Sequence, residues 1–145
     1  MKLAFLLWLA SILPQPAADH VCLAGTLYLE ARSEPLAGQL AVAEVALRRV
    51  DSGQYGSTLC QVLTAPGQFA LSTTPKSVLF QEVDSFKRAW SVANVAIAVW
   101  SLPPQLRPSV VPRADHFFAS NTPVPDWARG NPVARIGDHS FYHID

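Results

Sequence analysis

Basic residues never run beyond a pair in this chain, the longest being Arg48-Arg49 and Lys87-Arg88. With 11 Lys and Arg against 11 Asp and Glu, and charged residues at only 15%, no electrostatic footprint for nucleic acid exists, and a nucleic-acid partner is excluded. Repeats and low-complexity tracts are also missing, so solenoids and disordered tails drop out. No apolar run approaches the roughly 20 residues that a membrane-spanning helix needs. What is present is a 145-residue chain that is 50% hydrophobic with 12 prolines, enough for one domain with its own core.

The N-terminus places Lys2 before an apolar run from Leu3 to Leu13 and a Pro/Ala-rich stretch, which is the order of a signal peptide. Residues 1–18 are therefore expected to be a leader cleaved near Ala18, and residues 19–145 the mature domain. The alternative is an uncleaved start, because Pro16 occupies a position where a small residue is usual. Losing Lys2 leaves one more acid than base. The expected product is a monomer with no stable membrane span, located in the periplasm or the cell wall and extracellular space. Cys22 and Cys60 are the only cysteines, and an even count behind an export signal favours one disulfide over two buried thiols.

Along the chain, Asp19 is placed to cap a helix through about Arg32 whose apolar face carries Leu23, Ala24, Leu27 and Ala31. On a helical wheel Glu30 falls about 20° from Leu23, at the edge of the buried stripe. Ser33-Glu34-Pro35 restarts the chain into a second helix with Leu36, Leu40, Ala43, Leu47 and Val50 inward and a Glu44–Arg48 pair outside, ended by Asp51-Ser52-Gly53. Ser57 is expected to cap a short helix carrying Cys60, and residues 65–69 form a loop. Residues 70–83 have no clear period. From Asp84 a third helix runs on Phe86, Trp90, Ala93, Ile97 and Trp100, and Pro103 to Pro112 reads as an extended connector. Ala114 to Ser120 and Val133 to His143 read as strands, with Gly137 the first central residue of a type II′ hairpin turn. Helices first and strands last predict an α+β fold, helical through two thirds of the chain and closed by a short antiparallel β-hairpin.

A buried-edge Glu suits a proton donor, since a carboxyl with a reference pKa of about 4.3 donates at neutral pH only when desolvated. Spacing alone also allows a solvated Glu beside Arg32. The motifs are more telling. Cys22-Leu23-Ala24, Tyr28-x-Glu30-Ala31-Arg32-x-Glu34-Pro35, Gly38-Gln39-Leu40-Ala41-Val42-Ala43 and Arg49-Val50 are followed in order by Cys60, Gly67-Gln68-Phe69 and Asp115-His116-Phe117. Trp127-Ala128 and Ala134-Arg135-Ile136-Gly137-x-His139-x-Phe141-Tyr142 close the series. This pattern resembles the SleB-like cell wall hydrolases, the spore-cortex-lytic type, from about Val21 to Tyr142.

The resemblance implies a small lysozyme-like domain without a cofactor, acting on peptidoglycan glycan strands as a lytic transglycosylase or glycosidase. It implies Glu30 as the catalytic acid/base, with Glu34, Gln39, Gln68, Phe69, His116, Trp127, His139 and Tyr142 as substrate-binding residues. Each has a plainer reading: Glu34 also suits the start of the second helix, the glutamines also suit the surface, and the aromatics also suit a core. Ser33, Ala70 and Asp138 depart from the family's usual residues. Two other functions compete, a zinc-dependent amidase using His116, His139 and His143, and a noncatalytic glycan-binding module. On a strand His139 and His143 would stand about 13 Å apart, too far for one ion.

Overall fold

The computed structural model describes residues 1–144. Six α-helices precede three short strands: α1 Leu3–Ile12, α2 Ala17–Ala31, α3 Leu36–Ser52, α4 Leu59–Thr64, α5 Ala70–Thr73, α6 Val83–Trp100, then β1 His116–Ala119, β2 Ala134–Ile136 and β3 His139–Tyr142. The α+β expectation holds. The sheet is antiparallel in the order β1-β3-β2, so the C-terminal hairpin acquires β1 as a third strand. Ile136 pairs with His139 across a two-residue turn in which Gly137 has φ 56, whereas Asp138 is not among the residues at positive φ, the type II′ pattern.

Helix α2 lies at the centre, with α1, α3, α4, α5 and α6 against it, and α3 is enclosed beside it. The apolar stripe expected of α3 is largely present, with Ala43 and Leu47 buried and Leu40 and Val50 packed against the core, but Leu36 is exposed and burial widens to Ala41, Val42, Val45 and Ala46. A helix enclosed on nearly every side loses the one-face period that a surface helix shows. Helix α6 departs from its stripe similarly. It buries Ala89, Val92, Ala93 and Ala96 against its neighbours and leaves Trp90 exposed, the small alanines allowing close approach to α2. Phe80, Phe86 and Tyr28 form an aromatic cluster beside that contact, and Cys22 in α2 is bonded to Cys60 in α4.

Several local expectations shift. Asp19 sits in the first turn of α2 rather than at its N-cap, Pro16, and its carboxylate accepts the Cys60 N–H at 3.0 Å. Thr58, not Ser57, caps α4 by accepting the Gln61 N–H. The proline-rich connector is interrupted by a 3₁₀ turn at Pro104–Leu106. The apolar N-terminal run forms α1, whose Leu3 and Leu6 are buried, with Leu6 packed over Gly25 of α2.

Glu44 is not the outer partner of a surface pair. It is buried, and its carboxylate accepts the Val110 N–H at 2.8 Å, the Val111 N–H at 3.3 Å and the Ser109 hydroxyl, with Arg48 3.4 Å away. This carboxylate therefore pins the connector to α3. Glu44→Ala is expected to cost about 1–2 kcal/mol, since it removes the acceptor of several donors, of which the Val111 N–H is the buried one. Urea unfolding checks this, and a loss below about 0.5 kcal/mol would show the connector to be held by other contacts.

Candidate active site

Glu30 occupies the last turn of α2, where the helix gives way to Ser33-Glu34-Pro35. Burial pushes its carboxyl up to about 7 from 4.5, and the Ala70 backbone N–H, which hydrogen-bonds to it, only partly opposes that. Arg32 offers no charge to restore the ionised form. Its guanidinium pairs with Glu82, donates to the Tyr28 carbonyl and lies 4.7 Å over the Tyr28 ring. The Ala70 donor is available because Ala70 is the first residue of α5, whose opening N–H groups have no partner within the helix. A backbone donor does not depend on side-chain identity, so alanine serves here.

Glu30 opens into a cavity of about 230 Å³ shared with Ser33, Glu34, Ser120, Asn121, Asp138 and His139. Strand alternation explains the sheet's share. Phe117, His139 and Phe141 have their rings together on the inner face, and Ala119, opposite His139, also lines the cavity. Glu34 is buried and does not cap its own helix. Its Oε1 accepts the Asp138 N–H at 2.9 Å, and a Cβ on Gly137 would meet Oε2 at 2.6 Å, so the β2–β3 turn is seated on this carboxylate. His139 Nδ1 lies 3.2 Å from Glu34 but out of line for a hydrogen bond. Burial lowers the pKa of the His139 imidazole against the opposing pull of Glu34 and Asp138.

Of the residues singled out in the sequence, Glu30, Glu34 and His139 meet at this cavity, and the others are placed differently. Gln39 is buried beneath it, donating to the Glu34 carbonyl at 3.2 Å, so it supports the wall instead of reaching the opening. Phe69 is buried against Phe117, while exposed Gln68 accepts from Arg49 at 3.2 Å. His116, Trp127 and Tyr142 cluster with Phe118 on the outer face of the sheet, away from Glu30. The register sends the His116 and Tyr142 side chains outward, and Trp127 reaches them from a turn. Arg49 entered the sequence reading as part of the Arg49-Val50 motif, with no role assigned. Buried between the Tyr55 and Phe69 rings at 4.6 and 5.0 Å, it donates to the Asp115 carbonyl and joins α3 to β1 and the 65–69 loop. Ser120 and Asn121 carried no sequence signal beyond ordinary polar loop residues.

Among the described residues no group of three or more His, Cys, Asp and Glu is arranged to hold a metal ion. His116 and His143 both turn to Asp115, at 2.8 and 3.1 Å, whereas His139 stays on the inner face.

The chain is similar to known proteins in sequence and in shape. Over 124 residues it is 31% identical to the spore cortex-lytic enzyme of Bacillus subtilis strain 168, covering 85% of this chain and 37% of that protein. The Bacillus cereus spore cortex-lytic enzyme is 26% identical over 130 residues, covering 85% and 43%. The chain thus spans less than half the length of these relatives. The catalytic domain of the germination-specific lytic transglycosylase SleB from Bacillus anthracis superposes with a TM-score of 0.67 at 27% identity, over 90% of this chain and 99% of that one. The Bacillus cereus SleB catalytic domain gives 0.61 at 27% identity, over 86% and 88%. The Cell Wall Hydrolase family matches residues 33–142, three quarters of the sequence and all three strands, and the chain belongs to that family.

Proposed function

We propose that this protein is an exported lytic transglycosylase that cleaves the β-1,4 bond between N-acetylmuramic acid and N-acetylglucosamine in peptidoglycan. The observation that carries the reading is Glu30, a carboxyl poised near pH 7 at an open cavity. In its acid form it gives a proton to the leaving glycosidic oxygen as the C1–O bond breaks. The resulting carboxylate takes the proton from the sugar's own 6-hydroxyl as that oxygen bonds to C1, so the acid is regenerated and no water is consumed. A second free carboxylate is not required, in contrast to paired-carboxylate glycosidases. Glu34 suits a positioning role, because its oxygens already hold the turn carrying Asp138 and His139.

Export by residues 1–18 and action in the periplasm, the cell wall or outside the cell complete the proposal, supported by the leader-like order of Lys2 and the apolar run. Chelation separates this reading from a zinc amidase, which alone loses activity in EDTA. Cosedimentation with insoluble wall without release of soluble fragments would indicate a binding module.

The expected pH dependence follows from the acid form being the donor. Half of Glu30 is ionised near pH 7, so kcat on glycan strands should fall above that point, about tenfold per unit on the alkaline limb. A kcat profile from pH 5 to 9 checks this. A limb falling near 4.5, the value of an unperturbed Glu, would contradict Glu30 as the acid.

A further inference from the structure

A cleft of about 540 Å³, more than twice the 230 Å³ beside Glu30, has no part in the bond cleavage described above. It lies at the other end of β1, where Arg48 and Arg49 of α3, Tyr55, Arg113, Asp115 and His143 come together. The two cavities flank a continuous strip. Ala70 touches Glu30, its neighbour Phe69 lies under the Arg49 guanidinium, Arg49 bonds Gln68, and Arg49 also covers Tyr55. Ala119 lines one cavity and Asp115 the other, four residues apart in an extended segment, which is about 13 Å or the reach of two to three sugar rings.

The charge in this cleft is unbalanced in use as well as in number. Among the described residues its two carboxylates are engaged: Asp51 receives Arg107 and the Trp100 indole N–H, both at 2.9 Å, and Asp115 faces His116 and His143 and accepts the Ile144 N–H. Three guanidinium groups line the same space. Arg48 and Arg49 spend some of their donors on the backbone carbonyls of Ala114 and Asp115. Arg113 is exposed and has no hydrogen-bond or ion-pair partner for its side chain among the described residues. It is also the one non-glycine residue at positive φ, 69°, among them, a conformation that L residues adopt at a cost. A free guanidinium fork held in a cleft is suited to bidentate recognition of a carboxylate.

We infer that this cleft is a subsite for the carboxylates of the peptide stem carried by a sugar two to three rings from the bond being cut, with Arg113 as the principal contact. The inference rests on the glycan-cleaving reading. Within that reading the ligand class follows from charge: on a stem-bearing strand the sugars offer hydroxyls and amides, the lactyl carboxyl of each muramic acid being tied up as an amide, so the anionic groups are the stem carboxylates. The uncharged stretch meets the polar cavity at Glu30, and the charged branch meets the arginines.

The test compares glycan strands bearing peptide stems with strands from which the stems have been removed and the exposed lactyl carboxyls capped as methylamides, using the oxidised protein at low salt. Wild type should show a KM about three- to tenfold lower on stem-bearing strands, a gap that shrinks as ionic strength rises. Arg113→Glu should raise KM on stem-bearing strands by at least that factor, with kcat little changed and with no comparable rise on stem-free strands. Arg113→Lys should restore part of the gap, since it keeps the charge without the fork. Circular dichroism on each variant separates misfolding from lost binding. Equal wild-type KM on both substrates, or a KM rise in Arg113→Glu that is the same on both, would overturn the subsite. Absence of cleavage on either substrate would instead overturn the glycan-cleaving reading itself.

Discussion

Glu30→Gln is expected to lower turnover at least about a hundredfold while leaving the fold and glycan binding in place. The amide keeps the size and much of the hydrogen-bonding capacity of the carboxyl but cannot donate and recover a proton at ordinary pH. The Ala70 N–H still finds an acceptor in the amide oxygen, so the α2–α5 junction has no reason to loosen. Turnover on purified strands, measured with cosedimentation on insoluble wall, separates lost chemistry from lost binding.

A second signature comes from stability. The folded-state pKa of Glu30 lies above its unfolded value, so the stability tied to its protonated form is fully present below about 4.5 and is lost as pH rises through about 7. Glu30→Gln removes that loss. The variant should exceed wild type by roughly 2–3 kcal/mol at pH 8, with a smaller gap at pH 4. A substitution that destroys catalysis while stabilising the protein at alkaline pH is characteristic of a buried functional acid and not of a solvated one.

Loss of the Cys22–Cys60 bridge is the next largest expected effect. The bond closes a loop with a sequence separation of 38, for which the chain-entropy model gives about 4 kcal/mol, a figure that engineered bridges often fail to reach. It also ties α4 to the helix that carries Glu30, alongside the Asp19 contact to the Cys60 N–H. The double variant Cys22→Ala, Cys60→Ser should therefore lose about 2–4 kcal/mol in urea unfolding, and full retention of stability would show that the bridge constrains little. Intact mass of the exported protein before and after reduction reads the bridge directly, and the same spectrum reports residues 1–18. Their absence fits a leader. Their presence would make α1, with Leu3 and Leu6 in the core, part of the mature fold.

The sequence marked the ends of elements better than their faces. Gly53 does take the left-handed C-cap of α3, and Gly137 does make the hairpin turn, because those positions depend on local backbone conformation. The position of Glu30 at the end of α2 was legible for a related reason, since it follows from helix period and a break at Pro35, whereas its role as acid came from the motif resemblance alone. Faces depend on what lies opposite. Surrounded α3 buries residues well beyond its expected stripe, and α6 uses alanines for its closest contact, so patterns weighted toward large side chains pointed to its flanks. Glu44 looked like half of a surface pair because its partners at residues 109–111 lie far along the chain. For the site, His116, Trp127 and Tyr142 were grouped with His139 by motif, but the strand register puts His116 and Tyr142 on the outer face, where Trp127 packs on them from a turn. The role of Arg49, which the motifs included without explaining, follows from the convergence of α3, the start of β1 and the 65–69 loop.

Glu30 as the proton shuttle of a transglycosylase is tested most directly by mass spectrometry of the fragments that wild type and Glu30→Gln release side by side from purified sacculi. The expected result is that wild type yields fragments ending in 1,6-anhydro-N-acetylmuramic acid, one water lighter than hydrolysis products, and that the folded variant yields almost none. Near-normal release by Glu30→Gln, or wild-type fragments cut at the peptide amide with intact glycan ends, would contradict it.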